Sequence, residues 1–186
     1  MQGPLCGLLS LTILWHLFSK GIGVINIRRA ELTDLEAMTE IYNEAILTST
    51  ATFDLAPQTR EQRLNWFESH EERFPILVAE CDGEVAGWAC LSRWRPRKAY
   101  ERTAETSFYV KGTQRGKGIG RQLKQAIIDE ARRLNFHTLI AGVAQGNEVS
   151  LHLNQSFGFE VVGTFREVGN KFDQWLDVTY LQLMLN

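Results

Sequence analysis

The chain has 186 residues, 44% of them hydrophobic, with a formal charge of −2 and a pI near 6.1. That length suits one domain with a full core, the apolar content excludes a disordered chain, and the lack of a basic surplus excludes nucleic acid held by phosphate neutralisation. Cys6, Cys81 and Cys90 are odd in number without C-x-x-C spacing, and His16, His70, His137 and His152 have no ligand spacing, so no disulfide scaffold or metal site is indicated and a reducing cytoplasm is the simplest compartment.

In chain order, Leu5 to Phe18 is an apolar run broken by Gly7, Ser10, Thr12 and His16, short of the roughly 20 residues that cross a bilayer. Met1 to Pro4 carry no positive charge and no A-x-A site follows, which argues against a signal peptide. Residues 1–23 read as an apolar leader outside a folded domain of 24–186, with no membrane partner expected.

Ile25 to Arg28 reads as a first strand. Thr33-x-x-Glu36 predicts a capping box opening a helix with Leu35, Met38, Ile41, Tyr42 and Ala45 on one face, and Thr59-x-x-Gln62 predicts a second box before Leu64, Trp66 and Phe67. Ile76 to Cys81 and Glu84 to Leu91 read as strands joined by an Asp82-Gly83 hairpin turn. Thr103 to Val110 is strand-like. Ile119, Leu123, Ala126, Ile127, Ala131 and Leu134 then recur at helical spacing. His137 to Ala144 predicts a strand, Glu148 to Ser156 a short helix, and Glu160 to Phe165 and Val178 to Leu185 two more strands.

Between Val110 and the helix at Ile119 lies Gln114-Arg115-Gly116-Lys117-Gly118-Ile119-Gly120. A glycine turn at a helix N-terminus offers free N–H groups and the positive end of the helix dipole, a field suited to pyrophosphate. P-loop spacing is not met, because Gly112 precedes Gly116-Lys117 too closely and Gly118 follows the lysine. The dinucleotide fingerprint fails as well, since the glycines run G-x-G-x-G.

Arg115-x-x-Gly118-x-Gly120 resembles the coenzyme A pyrophosphate signature of the GNAT superfamily of N-acetyltransferases. Glu105 to Val110 upstream, Asn147-x-x-Ser150 downstream and Phe157-Gly158-Phe159 follow in the matching order. The likeness extends from about Ile25 to the C-terminus and is nearest the phosphinothricin and amino-acid sulfoximine acetyltransferase branch, notably at Arg95 to Tyr100 and Trp175-Leu176-Asp177. It implies an α/β fold, a mixed and mostly antiparallel sheet with helices on both faces in the order βααβββαβαββ, acetyl-CoA as co-substrate, no metal, and a homodimer.

The resemblance also implies roles. Arg115, Gly116, Lys117, Gly118, Ile119 and Gly120 would hold pyrophosphate. Val110 would end its strand in a bulge, splay from the next strand, and present its N–H as oxyanion donor. Phe108 and Tyr109 would flank the same arm of the cofactor, Phe108 chiefly as sheet core. Glu105, on the face shared with Ser107 and Tyr109, is the candidate general base. Asn147 would meet a pantetheine amide or cap its helix. Asn154 aligns with the Tyr or His by which many relatives protonate the thiolate; an amide cannot do so, leaving water or Tyr109 for that step and a hydrogen bond for Asn154.

For the acceptor, Arg95 and Arg97 suit a free carboxylate, while Phe53, Trp66 and Trp175 are candidate pocket walls or core. The reading is N-acetylation of a small amino acid or analogue by direct attack, the sulfoximine or sulfone class being favoured. Alternatives are a protein N-terminus or polyamine acceptor, or a non-catalytic coenzyme A sensor.

Overall fold

In the computed structural model, residues 24–185 are described; the apolar leader lies outside them. The elements are β1 (Ile25–Arg29), α1 (Leu35–Thr48), α2 (Arg60–Glu68), β2 (Ile76–Cys81), β3 (Glu84–Arg93), β4 (Thr103–Val110), α3 (Ile119–Arg133), β5 (Thr138–Ala144), α4 (Glu148–Ser156), β6 (Glu160–Lys171) and β7 (Gln174–Met184). The seven strands form one sheet in the order β1-β2-β3-β4-β5-β7-β6. Only β4 and β5 run parallel; the other pairs are antiparallel. The expected order of elements and the mixed sheet are both found.

The strands alternate inward and outward, so each sheet face acquires its own core. On one face, Ile119, Leu123, Ile127, Ile128 and Ala131 of α3 pack on Ala89, Leu91, Ala104, Leu139 and Ala141. On the other, Met38 and Ile41 of α1 pack on Val78, Trp88 and Cys90. Asp82 and Gly83 take φ of 53° and 83°, as a two-residue hairpin turn requires.

Three local expectations change. The first capping box is not at Thr33: a 3-10 turn over Leu32–Asp34 precedes α1, and the Asp34 carboxylate takes the Glu31 N–H at 2.8 Å and both Arg28 Nη atoms at 2.7 and 2.9 Å. That ion pair sets where the helix begins. The second box is as read, with Gln62 N–H to Thr59 Oγ1 at 3.2 Å and Thr59 N–H to Gln62 Oε1 at 2.8 Å.

The last two strands are longer than periodicity suggested, because they form a hairpin closed at Phe172 and Asp173, both at positive φ. Its register breaks between Phe165 and Gly169, where Glu167 takes φ 50° and its N–H reaches Asp177 Oδ1 at 2.8 Å. Finally, no register shift interrupts β4 against β3, so the bulge expected at Val110 is absent.

Candidate active site

The separation of β4 from β5 starts earlier than Val110. The two strands pair only at Thr103–Thr138, Ala104–Leu139 and Glu105–Ile140, and beyond that β4 keeps β3 while β5 keeps β7. Lys111 N–H donates to Ala86 C=O at 2.9 Å, and Thr138 N–H to Arg102 C=O at 3.2 Å. Antiparallel alternation then directs the even-numbered backbone groups of β4 away from β3. Thr106, Phe108 and Val110 therefore turn their peptide groups into a gap that no strand fills.

At the C-terminal end of β4 the glycine turn stands over the start of α3. Gly116 and Gly118 have φ of 78° and 82°, and Gly118 is the α3 N-cap. That left-handed backbone is why glycine is needed, since a Cβ at either position would meet nothing. Arg115 Nε donates to Val110 C=O at 3.3 Å, and Lys117 Nζ to Gln114 Oε1 at 2.7 Å. A Cβ on Gly120 would lie 3.6 Å from Phe108 and 3.7 Å from Leu153, so α3, α4 and β4 converge there. Ile119 is buried in the core beneath the turn.

Asn147 caps α4, its Oδ1 accepting the Ser150 N–H at 3.2 Å. Asn154 is 1% exposed; its Nδ2 donates to Ser150 C=O at 2.8 Å, while its Oδ1 has no partner among the described residues. Phe108 packs against the core below α3.

The opposite face of β4 carries Glu105, Ser107 and Tyr109. Burial raises the Glu105 carboxyl above the ordinary glutamate range and Arg95 opposes that rise. Arg95 stacks on Trp94, 4.9 Å from the ring centroid, and Trp94 meets Tyr180 edge-on at 5.7 Å. Burial, then the Glu105 charge, raises the Tyr180 phenol. Arg97 is exposed at the start of a 3-10 turn over Lys98–Tyr100. Arg95 is thus brought to Glu105 electrostatically, whereas Arg97 has no ion pair among the described residues.

Beside Glu105 opens a cavity of about 90 Å³ lined by Tyr42, Arg63, Trp66, Trp88, Ser107 and Tyr109, among others. Trp66 is one of its walls. Phe53 instead packs on Gly169 of the β6 irregularity, and Trp175 projects from β7, 64% exposed. Burial pushes the Cys90 thiol at the cavity edge up to about 11, so it stays protonated and is no nucleophile at neutral pH.

Sequence reasoning missed Arg63. Leu64, Trp66 and Phe67 are the apolar residues of α2, yet its buried residue is Arg63, 3% exposed. Its guanidinium lies 3.7 Å from the Trp66 ring centroid, 4.6 Å from Tyr42 and 5.2 Å from Trp88. Nε and Nη2 have no hydrogen-bond partner among the described residues. An Arg that sits one turn before Trp, amid aromatics, was the only available signal.

The acetyltransferase (GNAT) domain family matches residues 27–180. The chain is 41% identical over 163 residues to the L-methionine sulfoximine/L-methionine sulfone acetyltransferase of Pseudomonas paraeruginosa, covering 87% of this chain and 95% of that one. It is 36% identical over 166 residues to the phosphinothricin N-acetyltransferase of Streptomyces coelicolor, covering 87% and 97%. Among solved structures, a GNAT superfamily phosphinothricin acetyltransferase from Sinorhizobium meliloti in complex with acetyl-CoA superposes with a TM-score of 0.84 at 32% identity, covering 87% and 89%.

Proposed function

The chain belongs to the GNAT acetyltransferase family, and from that premise we propose that it transfers acetyl from acetyl-CoA to the amino group of a small amino acid or analogue, of the methionine sulfoximine, methionine sulfone or phosphinothricin class. Residues 24–186 are the N-acetyltransferase domain and 1–23 lie outside it. The observation that carries the reading is the half-unpaired β4: it offers a ladder of peptide groups on one edge and a desolvated carboxylate on its outer face.

The fit to the cofactor rests on that edge and on the left-handed glycine turn. Arg115, Gly116, Lys117, Gly118, Ile119 and Gly120 hold the pyrophosphate, chiefly through backbone N–H groups. Thr106, Phe108 and Val110 turn their peptide groups to the pantetheine arm, with Asn147 and Asn154 on its far side and Tyr109 flanking it from the acceptor face. The thioester supplies an activated acyl group. Val110 N–H donates to the acyl oxygen as negative charge gathers there; donors of this kind are worth ~2.7–4 kcal/mol. Glu105 takes the proton of the attacking amine, directly or through one water. No acyl-enzyme is required, which suits the absence of an ionised thiol beside Glu105.

Arg95, with Arg97 closing from the exposed loop, anchors the acceptor carboxylate. Arg63 offers its free donors to polar oxygens at the acceptor's other end. This cationic surround disfavours a polyamine, and a carboxylate held above its ordinary pKa beside the acceptor cavity disfavours a mere coenzyme A sensor.

The chain works as a homodimer. Val161, Phe165, Val168 and Trp175 leave the β6–β7 edge of the sheet with exposed apolar side chains, each at least half exposed, which a second copy would cover. A reducing cytoplasm suits the free, buried Cys81 and Cys90, and detoxification of amino-acid analogues is the role the acceptor class suggests. No helix among the described residues is long and apolar enough to cross a membrane.

Acetyl-CoA consumption across amino-acid analogues, polyamines and peptide N-termini tests the proposal. Turnover is expected with methionine sulfone, methionine sulfoximine or phosphinothricin; turnover confined to polyamines or peptides would overturn it.

A further inference from the structure

Three polar atoms on the α3–α4 side of the β4–β5 gap lack a hydrogen-bond partner among the described residues: Thr106 Oγ1, Lys124 Nζ and Asn154 Oδ1. Their residues are 6%, 0% and 1% exposed. Each such atom costs ~1–3 kcal/mol, and three from neighbouring elements are more than packing explains. Thr106 follows the last β4 residue paired with β5. Lys124 reaches in from α3, its Nζ 4.1 Å from the Phe159 ring centroid and 5.8 Å from that of Phe108. Asn154 belongs to α4, and its C=O accepts the Phe159 N–H at 3.2 Å.

Lys124 is the anomaly. Its helix turns Ile119, Leu123, Ile127, Ile128 and Ala131 inward, and a leucine or methionine at 124 would continue that face without any polar cost. Among the described residues, no carboxylate pairs with it.

We propose that Lys124 is the proton donor to the coenzyme A sulfur in this chain, filling the role that the Asn154 amide cannot. The inference rests on the acetyltransferase reading. As the new C–N bond forms and the C–S bond breaks with its electron pair on sulfur, Lys124 gives one Nζ proton to that sulfur. The amine's own proton goes to Glu105. Lys124 is left neutral and regains its proton from solvent once the product thiol leaves.

Phe108 of β4 and Phe159 just before β6 face Nζ, and no acidic or basic side chain among the described residues offsets its burial, which pushes it down to about 7. An ammonium of that acidity gives up a proton at neutral pH far more readily than an ordinary lysine. Tyr109 is less suited: its ring lies on the acceptor face of β4, and burial raises its phenol well above the ordinary range.

The test is Lys124→Met, which keeps length and removes the proton, with Lys124→Leu as a second apolar variant. Coenzyme A bound to each protein is titrated by its thiolate absorbance. The wild type should hold the bound thiol at a lower pKa than either variant, by about one unit or more, because an ammonium beside sulfur favours the thiolate. In turnover, kcat should fall roughly 10²-fold while KM for acetyl-CoA changes little. The wild-type decline in kcat as pH rises through the lysine's pKa should vanish. Asn154→His added to Lys124→Met should restore much of the rate. Thermal unfolding controls for folding, and loss of an unpaired buried amine should leave it unchanged or raised. Equal thiol pKa values, or a variant with wild-type kcat and pH profile, would overturn the proposal. A wild type that neither binds coenzyme A nor consumes acetyl-CoA would instead sink the acetyltransferase reading.

Discussion

Glu44, in the last turns of α1, accepts the Gly112 N–H at 3.1 Å and lies 3.8 Å from Arg115 Nη2. One carboxylate thereby ties the helix on the acceptor side to the loop that leads into the glycine turn. A Cβ on Gly112 would overlap the Glu44 carboxylate, so a larger residue there makes that side chain move off the Gly112 N–H.

Gly112→Ala should therefore weaken coenzyme A binding. Losing a hydrogen bond to a charged group costs ~1.5–3 kcal/mol, equivalent to roughly tenfold or more in affinity. Calorimetry on Gly112→Ala, Glu44→Ala and the double variant forms the check. The double variant should bind better than the sum of the two losses, because removing the carboxylate removes the clash; strict additivity would mean that the two residues act separately.

A second expectation concerns stability. Arg28, through paired hydrogen bonds at 2.7 and 2.9 Å, holds the Asp34 carboxyl below its ordinary range. A carboxyl with a depressed native pKa adds stability above its unfolded pKa, and that stability is lost as pH falls through the native one. Asp34→Asn should cost ~1.5–3 kcal/mol near neutrality. Urea unfolding at descending pH should bring the two proteins together in acid. A gap that persisted below both pKa values would assign the loss to packing.

Much of this was legible in the sequence because glycine, capping residues and apolar period each have a local cause. The Gly116–Gly120 turn, the Thr59 box and the inward face of α3 needed no tertiary information. The unread parts are those where a distant residue decides. Asp34 rather than Thr33 governs the start of α1 because Arg28 reaches it from β1. The β6–β7 hairpin turns at Phe172-Asp173 without a glycine to mark it. Arg63 and Lys124 look like solvent-facing cations within helical spacing, and only the packed aromatics show that both are buried. The gap beside β4 depends on where β5 stops pairing, which no local pattern encodes.

Arg63 supplies a third prediction. Arg63→Met removes two unsatisfied donors from the acceptor cavity while filling much of the space between Tyr42, Trp66 and Trp88. KM for the amino-acid analogue should rise about tenfold or more, with KM for acetyl-CoA unchanged. Melting temperature should stay level, since an unpaired buried charge is exchanged for apolar volume. A lower melting temperature with unaltered KM would make Arg63 a structural residue of the aromatic cluster.

The last prediction joins Glu105 to Arg95. Glu105 works as a base only when ionised, and burial holds its carboxyl above the ordinary range while Arg95 pulls it back. Activity should accordingly rise with pH through the Glu105 pKa on the acid side of the profile. Arg95→Gln removes the opposing charge, so this acid limb should move to higher pH, in addition to any loss of carboxylate binding. Glu105→Gln should lower kcat near neutrality by ~10²–10⁴-fold, leave acetyl-CoA affinity nearly constant, and recover partly in alkali, where the free amine becomes abundant. Turnover against pH for the three proteins reads both effects. Equal rates of wild type and Glu105→Gln near neutrality would exclude the carboxylate as base, and an unmoved acid limb in Arg95→Gln would show that the arginine does not set its charge.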